Sequence, residues 1–167
     1  MSRSFRFHSS RFIARTFAVV AIAVLGAFPQ RAHAQGLISI GAGIGGGFGD
    51  RNNNGSGGGV NGLVYAQVHP PLIPFAVRGD ALLTHGGSTS ETLISATVNA
   101  VVLAPLPFVV PYALAGFGKY GIGKDGSQTG WNVGVGVRAR LPNFAIFGEV
   151  RRHQRISRDL FTIGLSR

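Results

Sequence analysis

The stretch WNVGVGVRARL, residues 131–141, decides the fold because its side chains alternate between two chemical classes. Its odd-numbered positions are all apolar, and its even-numbered positions are asparagine, glycine or arginine. Successive side chains of a β-strand point to opposite faces of the sheet. The stretch therefore predicts a β-strand with one apolar face and one face of small or charged side chains.

The same two-residue period recurs, in places more faintly, along most of the remaining sequence. The predicted strands are centred on residues 38–44, 64–68, 77–83, 94–102, 112–115, 131–141, 144–153 and 161–166. A helical bundle is disfavoured, because the chain has 26 glycines and each glycine weakens a helix interior by about 1 kcal/mol relative to alanine. The sequence therefore predicts an all-β domain of eight strands.

Two kinds of segment separate the predicted strands. The first kind is polar, glycine-rich or charged, and covers residues 50–59, 85–90, 123–129 and 153–158. The second kind is short and contains proline, and covers residues 70–74, 105–107 and 141–143. The two kinds alternate strictly, as expected of strands that run up and down between two compartments. This order predicts an antiparallel up-and-down barrel with both ends of the domain on the side of the short turns.

The chemistry of the two strand faces favours a transmembrane barrel. Eight tilted strands of about nine to eleven residues can cross a bilayer, and a barrel of this size is filled by its own side chains. A soluble eight-stranded barrel of the lipocalin kind also alternates, but it places large apolar residues inside and charges outside. Here the non-apolar faces hold mainly Gly, Asn, Ser and Thr, which suit a narrow interior better than a surface in water.

Several charged residues share the predicted inward face. They are Arg78, Asp80, Arg138, Arg140, Glu149 and Arg151. Two interpretations are open, an ion path or a salt-bridged network that fills the lumen. The second is favoured, because buried charges are tolerated only when they are paired. Four arginines would face two carboxylates, so water, backbone carbonyls or a terminal carboxylate would have to complete the network.

Residues 1–34 have the organisation of a secretory signal peptide. A basic stretch reaches Arg15, an apolar run covers residues 16–28, and Ala32-His33-Ala34 matches the A-x-A cleavage pattern. As a helix, the apolar run would rise only about 20 Å, which is too short for a bilayer core of about 30 Å. We expect cleavage after residue 34 and an exported barrel domain that covers residues 35–167.

The formal net charge of +10 does not indicate a nucleic-acid partner. Five of the 16 basic residues lie before residue 35, and the others are scattered rather than gathered into a stripe with aromatic side chains. The chain has no cysteine, which excludes disulfides, thiolate metal sites and a lipoprotein anchor.

Three further motifs have ordinary structural explanations. The spelling G-x-G-x-x-G at residues 41–46 fits a dinucleotide fingerprint, but that fingerprint must open a helix, and a glycine- and asparagine-rich segment follows here. His69 and His85 are isolated near predicted strand ends, with no metal-ligand spacing. No cofactor or metal is therefore predicted. The segment NNNGSGGG, residues 52–59, could form an adhesive loop, but a mobile, solvated loop is the favoured interpretation.

Four stretches carry a resemblance to a known family. They are residues 111–118 (PYALAGFG), 131–138 (WNVGVGVR), 147–153 (FGEVRRH) and 161–165 (FTIGL). The chain resembles the outer-membrane protein β-barrel domain family, the small barrels related to opacity and attachment-invasion proteins. The resemblance implies a non-enzymatic protein of the cell outer membrane, structural or adhesive, that is surrounded by lipid and lipopolysaccharide. We expect a monomer that presents its four polar loops to a possible surface ligand.

The resemblance also implies assembly by the barrel-assembly machinery, which usually reads an aromatic residue at the end of the last strand. Here Arg167 takes that position on the lipid-facing side, so its side chain must reach the headgroups. An enzymatic alternative rests on Glu149, His153 and Ser157, because a lipid A deacylase uses such a trio on an eight-stranded barrel. In that family His and Ser lie two residues apart on one strand, whereas Ser157 falls four residues on in a predicted loop. A soluble periplasmic binding barrel is the third hypothesis.

Overall fold

The computed structural model describes residues 37–48, 59–86, 92–104, 106–123, 126–156 and 159–167. The predicted signal peptide, residues 1–34, lies outside the described residues, as do parts of the four predicted polar loops. Within the described part of the chain, no helix is long and apolar enough to cross a membrane.

Eight antiparallel strands form the domain, and each overlaps one of the predicted segments. The strands are β1 (Ile38–Phe48), β2 (Gly59–Val68), β3 (Phe75–Gly86), β4 (Thr92–Leu103), β5 (Val109–Tyr120), β6 (Gln128–Arg140), β7 (Ala145–His153) and β8 (Asp159–Ser166). Each strand pairs with its neighbours in chain order, and β1 also pairs with β8, so the sheet closes on itself. The predicted eight-stranded up-and-down barrel is confirmed. The G-x-G-x-x-G spelling lies within β1 and opens no helix.

The outer surface of the barrel carries the predicted apolar faces. On β6, Val133, Val135 and Val137 are 43%, 62% and 45% exposed, whereas Asn132 on the other face is fully buried. On β4 the outward Val98 is exposed and the inward residues are buried. A soluble barrel requires the opposite arrangement, with its large apolar side chains inside. The outer surface therefore suits hydrocarbon rather than water.

Aromatic side chains on this outer surface occupy two levels. One level lies where the odd-numbered strands begin and contains Phe75, Phe108 and Phe144. The other lies toward the opposite end and contains Phe48, Phe117, Trp131 and Phe161. Two aromatic girdles of this kind mark the membrane interfaces of transmembrane barrels.

The interior is less polar than the alternation predicted. On β5 the larger residues Tyr112 and Leu114 point inward, and the alanines point outward. Two buried apolar clusters result, one of Leu63, Tyr65, Leu82, Tyr120, Phe147, Ile156 and Leu160, and one of Ala76, Val101, Leu103, Val110, Tyr112 and Leu114. Protein interiors are close-packed. Because β1 and β6 contribute many inward glycines, large side chains from other strands must fill the space that these glycines leave.

The strand ends divide the connections into two sets. Connections 49–58, 87–91, 121–127 and 154–158 join strands at one end of the barrel, and connections 69–74, 104–108 and 141–144 join strands at the other. The first set corresponds to the predicted polar loops, although the strands extend one or two residues into them, for example to Gly86 and to His153. The two sets differ more in composition than in length.

Candidate functional site in the barrel interior

Four charged side chains from two strands meet inside the barrel. Arg78 and Asp80 are two residues apart on β3, and Glu149 and Arg151 are two residues apart on β7, so each pair shares the inward face. The third and seventh strands of an eight-stranded barrel lie opposite each other, and both run in the same direction. The order Arg-Asp on β3 therefore faces the order Glu-Arg on β7, which brings opposite charges together across the lumen.

Each arginine of this charged quartet (Arg78, Asp80, Glu149 and Arg151) contacts both carboxylates. The Nε atom of Arg78 lies 2.6 Å from Oδ1 of Asp80, and its Nη1 atom lies 2.8 Å from Oε2 of Glu149. Arg151 approaches Oδ2 of Asp80 to 2.9 Å with its Nη1 atom and also donates to Glu149. All four residues are at most 6% exposed, and their formal charges cancel. The quartet thus meets the condition under which buried charges are tolerated.

Neutral side chains complete the hydrogen bonds of the two carboxylates. Asp80 accepts hydrogen bonds from the amide of Asn99 and, at 3.2 Å, from the hydroxyl of Thr97 on β4. Glu149 accepts one from the hydroxyl of Tyr112 on β5, at 2.9 Å. The neighbouring strands are therefore tied to the quartet, and the ion pairs belong to a network that spans the lumen.

The aromatic ring of Tyr65 packs against the Arg78 end of the quartet. The Arg78 guanidinium carbon lies 3.7 Å from the Tyr65 ring centroid, a cation–π contact. The same ring meets Phe147 edge-on, with centroids 5.4 Å apart. A Cβ atom at Gly41 would lie 2.4 Å from the Tyr65 ring, so the glycine on β1 makes room for this stack. Here a glycine of the alternating pattern has a packing role.

The two remaining arginines of the predicted inward face lie outside the quartet. Arg138 is half-buried, and its Nη2 atom donates to the hydroxyl of Tyr65 at 3.1 Å and to Oε1 of Gln67 at 3.3 Å. Arg140 is exposed at the last residue of β6. Among the described residues, neither arginine is ion-paired with a carboxylate. The quartet therefore contains two arginines and two carboxylates, and the expected excess of cations does not arise within it.

Each of the three histidines that the structure describes has a hydrogen-bond partner of its own. His153 is fully buried, and its Nδ1 atom lies 2.9 Å from the Tyr120 hydroxyl. The Nε2 atom of His69 donates to the carbonyl of Ile73 at 2.8 Å, and Nδ1 of His85 lies 2.8 Å from Oγ1 of Thr92. No three His, Cys, Asp or Glu side chains of the described residues are grouped so as to hold a metal ion.

Sequence reasoning placed these charges on one face but did not pair them across the barrel. The missed signal is the spelling R-x-D on the third strand and E-x-R on the seventh, in a barrel in which those two strands are opposite. The supporting roles of Tyr65 and Tyr112 were also missed, because aromatic residues in an alternating pattern do not reveal which way they point.

Comparisons with known proteins agree with this architecture. The model of the family described as "outer membrane protein beta-barrel domain" matches residues 16–165 of the chain. Among solved structures, the chain is similar to the crystal structure of Neisserial surface protein A, with a TM-score of 0.59 and 15% identity over 78% of this chain and 95% of that chain. The translocator domain of the autotransporter NalP from Neisseria meningitidis matches at a TM-score of 0.40 and 11% identity, over 95% and 96% of the two chains. No curated protein matches the chain significantly.

The family match extends over most of the chain and includes seven strands and all but the last residue of β8. The likeness to Neisserial surface protein A shows the same fold. The closed sheet, the apolar outer surface and the paired interior charges are what a barrel needs in order to span a membrane. The chain belongs to the outer membrane protein β-barrel domain family and is a small barrel protein of the cell outer membrane.

Proposed function

We propose that this barrel is a non-enzymatic protein of structural or adhesive function, whose specific contacts are made by the four polar connections at one end. The observation that most supports this proposal is the occupied interior. The charged quartet, whose ion pairs join β3 to β7, and the two buried apolar clusters fill the part of the lumen that the structure describes. Specific recognition then belongs to the connections, which a rigid barrel holds in place.

The composition of the connections supports an orientation in the membrane. Connections 49–58, 87–91, 121–127 and 154–158 each contain formally charged residues, whereas connections 69–74, 104–108 and 141–144 contain none. Outer-membrane barrels place short turns in the periplasm and longer loops outside the cell, and the two longest connections, 49–58 and 121–127, both belong to the charged set. We infer that the four charged connections face the exterior, where a surface ligand would meet them.

The outer surface and the closed sheet support a proposal about the lipid surroundings and the oligomeric state of the barrel. The apolar outer face suits phospholipid and lipopolysaccharide chains, and closure of β1 on β8 leaves no strand edge open to another chain. We therefore propose a monomer in the lipid of the outer membrane, assembled by the barrel-assembly machinery. Arg167 extends the β8 pairing through mutual backbone hydrogen bonds with Ile40, both of 2.8 Å.

A thiol introduced into one connection tests both the orientation and the adhesive role. The chain has no cysteine, so Asn53→Cys in connection 49–58 provides a unique reactive site. We expect a bulky, membrane-impermeant maleimide to label this variant on intact cells and to reduce attachment of the cells to epithelial monolayers. The matched variant Asn143→Cys, in connection 141–144, is expected to be labelled only after the outer membrane is permeabilised.

Two outcomes of this experiment would count against the proposal. Labelling of the N143C variant on intact cells, with no labelling of N53C, would reverse the proposed orientation. Complete labelling of N53C with unchanged attachment would contradict an adhesive role for connection 49–58 and leave the structural role.

The enzymatic alternative is tested by the acylation of lipid A. The oxygens of Glu149 accept from Arg78, Arg151 and Tyr112, so this carboxylate belongs to the charged quartet. Nδ1 of His153 lies 2.9 Å from the Tyr120 hydroxyl. Ser157 lies outside the described residues. We expect His153→Ala and Ser157→Ala to leave the mass spectrum of lipid A unchanged relative to cells with the original chain. A gain of acyl chains in either variant would establish a deacylase.

A further inference from the structure

Two of the three uncharged connections carry large, exposed apolar side chains at the end of the barrel opposite the polar connections. They are residues 69–74 (HPPLIP) and residues 104–108 (APLPF). Four of their side chains define what we call the apolar foot, namely Leu72, Ile73, Leu106 and Phe108, which are 102%, 46%, 53% and 78% exposed. The Pro74 carbonyl, at the end of the first connection, accepts a hydrogen bond of 2.8 Å from the amide of Leu103, the last residue of β4 before the second connection.

Leu72 is in an unfavourable position for a residue in water. Its φ of 73° lies in the left-handed region, which a branched apolar residue rarely adopts and which costs about 1–3 kcal/mol. Its side chain is fully exposed as well. The backbone therefore turns an apolar side chain away from the protein at a conformational cost, which indicates a contact outside the barrel.

The backbone of connection 69–74 is poor in free polar groups. Pro70, Pro71 and Pro74 have no N–H to satisfy. The His69 amide donates to the carbonyl of Leu37, and the His69 side chain donates to the carbonyl of Ile73, both at 2.8 Å. In hydrocarbon, each unsatisfied backbone group costs several kcal/mol. The three prolines and these two hydrogen bonds reduce the number of backbone groups that need water, which lowers the cost of immersing this connection in lipid.

Connection 104–108 has the same property. The amide of Ala104 donates to the carbonyl of Pro111, and the amide of Leu106 donates to the carbonyl of Ala104, both at 2.9 Å. The carbonyl of Phe108 accepts from the amide of Arg140, also at 2.9 Å. Several backbone groups of both connections are therefore bonded within the protein rather than to water.

The foot continues the lipid-facing surface of the barrel. It adjoins the outward side chains of Phe75 and Val109, which are 54% and 41% exposed. The remainder of the same end is mixed, because Asn143 is exposed beside Leu141 and Phe144 in connection 141–144, and exposed Arg140 and Arg167 lie at the end of β6 and after β8. Charged side chains therefore occur at this end near β6 and β8, whereas connections 69–74 and 104–108 carry none.

We propose that the apolar foot is a lipid-binding surface, inserted among the acyl chains of the leaflet at its end of the barrel. The foot would then fix the depth and the tilt of the barrel in the membrane. Any movement that lifts the foot out of the acyl chains would expose its four apolar side chains to water. Its occupant is phospholipid, and this proposal does not depend on the structural or adhesive function.

Tryptophan fluorescence in vesicles tests the proposal. Trp131→Phe removes the single native tryptophan. In this background, Leu72→Trp or Asn143→Trp places one matched probe in either of two connections at the same end of the barrel. The purified chains are folded into phosphatidylcholine vesicles with or without bromine on the acyl chains. We expect the Leu72→Trp probe to emit at short wavelength and to lose as much intensity to brominated lipid as native Trp131 does. The Asn143→Trp probe should emit at longer wavelength and lose less.

Leu106→Trp in the same background provides a second probe of the foot if the Leu72 variant does not fold, as judged by its gel mobility before and after boiling. Long-wavelength emission with no quenching at both positions would place the foot in water and overturn the proposal. Short-wavelength emission without quenching would also overturn it, because another copy of the chain, rather than lipid, would then cover the foot.

Discussion

Replacing Glu149 with glutamine is expected to lower the free energy of unfolding of the barrel by about 3–5 kcal/mol. The two oxygens of Glu149 accept hydrogen bonds from Arg78, Arg151 and Tyr112. Glutamine preserves the volume of the side chain but removes its charge, so two buried guanidinium groups would share the carboxylate of Asp80. A buried charge that loses its partner keeps its desolvation cost without the compensating attraction.

Urea unfolding of the E149Q variant in phosphatidylcholine vesicles measures this effect, with the fluorescence of Trp131 and the mobility of the unboiled protein as signals. Arg140→Gln is the matched control, because Arg140 is exposed and outside the quartet, and it should change stability by less than about 0.5 kcal/mol. Adding Arg78→Met to the E149Q variant restores neutrality within the quartet. The double variant should therefore lose less stability than the sum of the single variants. Equal urea midpoints for E149Q and R140Q would show that the quartet does not stabilise the barrel.

The strand order and the outward face could be predicted because lipid and lumen impose different chemistry on successive residues. Residues 131–141 express that difference fully, and β6 has the predicted faces. On β5 both faces are apolar around Tyr112 and Leu114, so alternation could not show which face points inward. Size decides there, because the narrow interior must be filled and Ala113 and Ala115 are too small to fill it.

The charged site could be predicted only in part, because alternation assigns a face but not a height along the barrel. Arg78 and Arg140 share the inward register, yet Arg78 is fully buried and Arg140 is exposed at the end of β6. That difference depends on where each strand begins and how the strands are staggered, which the two-residue period does not contain. The position of β3 opposite β7 across the lumen follows from the strand count alone, so it could have been derived once eight strands were predicted.

Gly136→Ala is expected to destabilise the barrel by about 1–3 kcal/mol. Gly136 lies on β6, next to the strand that carries Glu149, and its missing side chain leaves room for the charged site. A Cβ atom at this position would lie 2.4 Å from Cζ of Tyr112 and 2.8 Å from the carbonyl oxygen of Gly148. The Tyr112 ring would have to move, which would break its 2.9 Å hydrogen bond to Glu149. The backbone carbonyl can move only if β6 and β7 separate. One methyl group thus disturbs both the packing and the polar network.

Gly148→Ala is the matched control, since a Cβ atom at Gly148 meets nothing within 4 Å. Gly148 lies on the outward face of β7, opposite in parity to Glu149, so alanine there should leave the urea midpoint unchanged or raise it slightly. Combining Gly136→Ala with Tyr112→Leu should relieve the ring contact and cost less than the sum of the two changes. If G136A and G148A unfold at the same urea concentration, the inward glycines do not serve to accommodate large side chains, and their abundance would need a different cause.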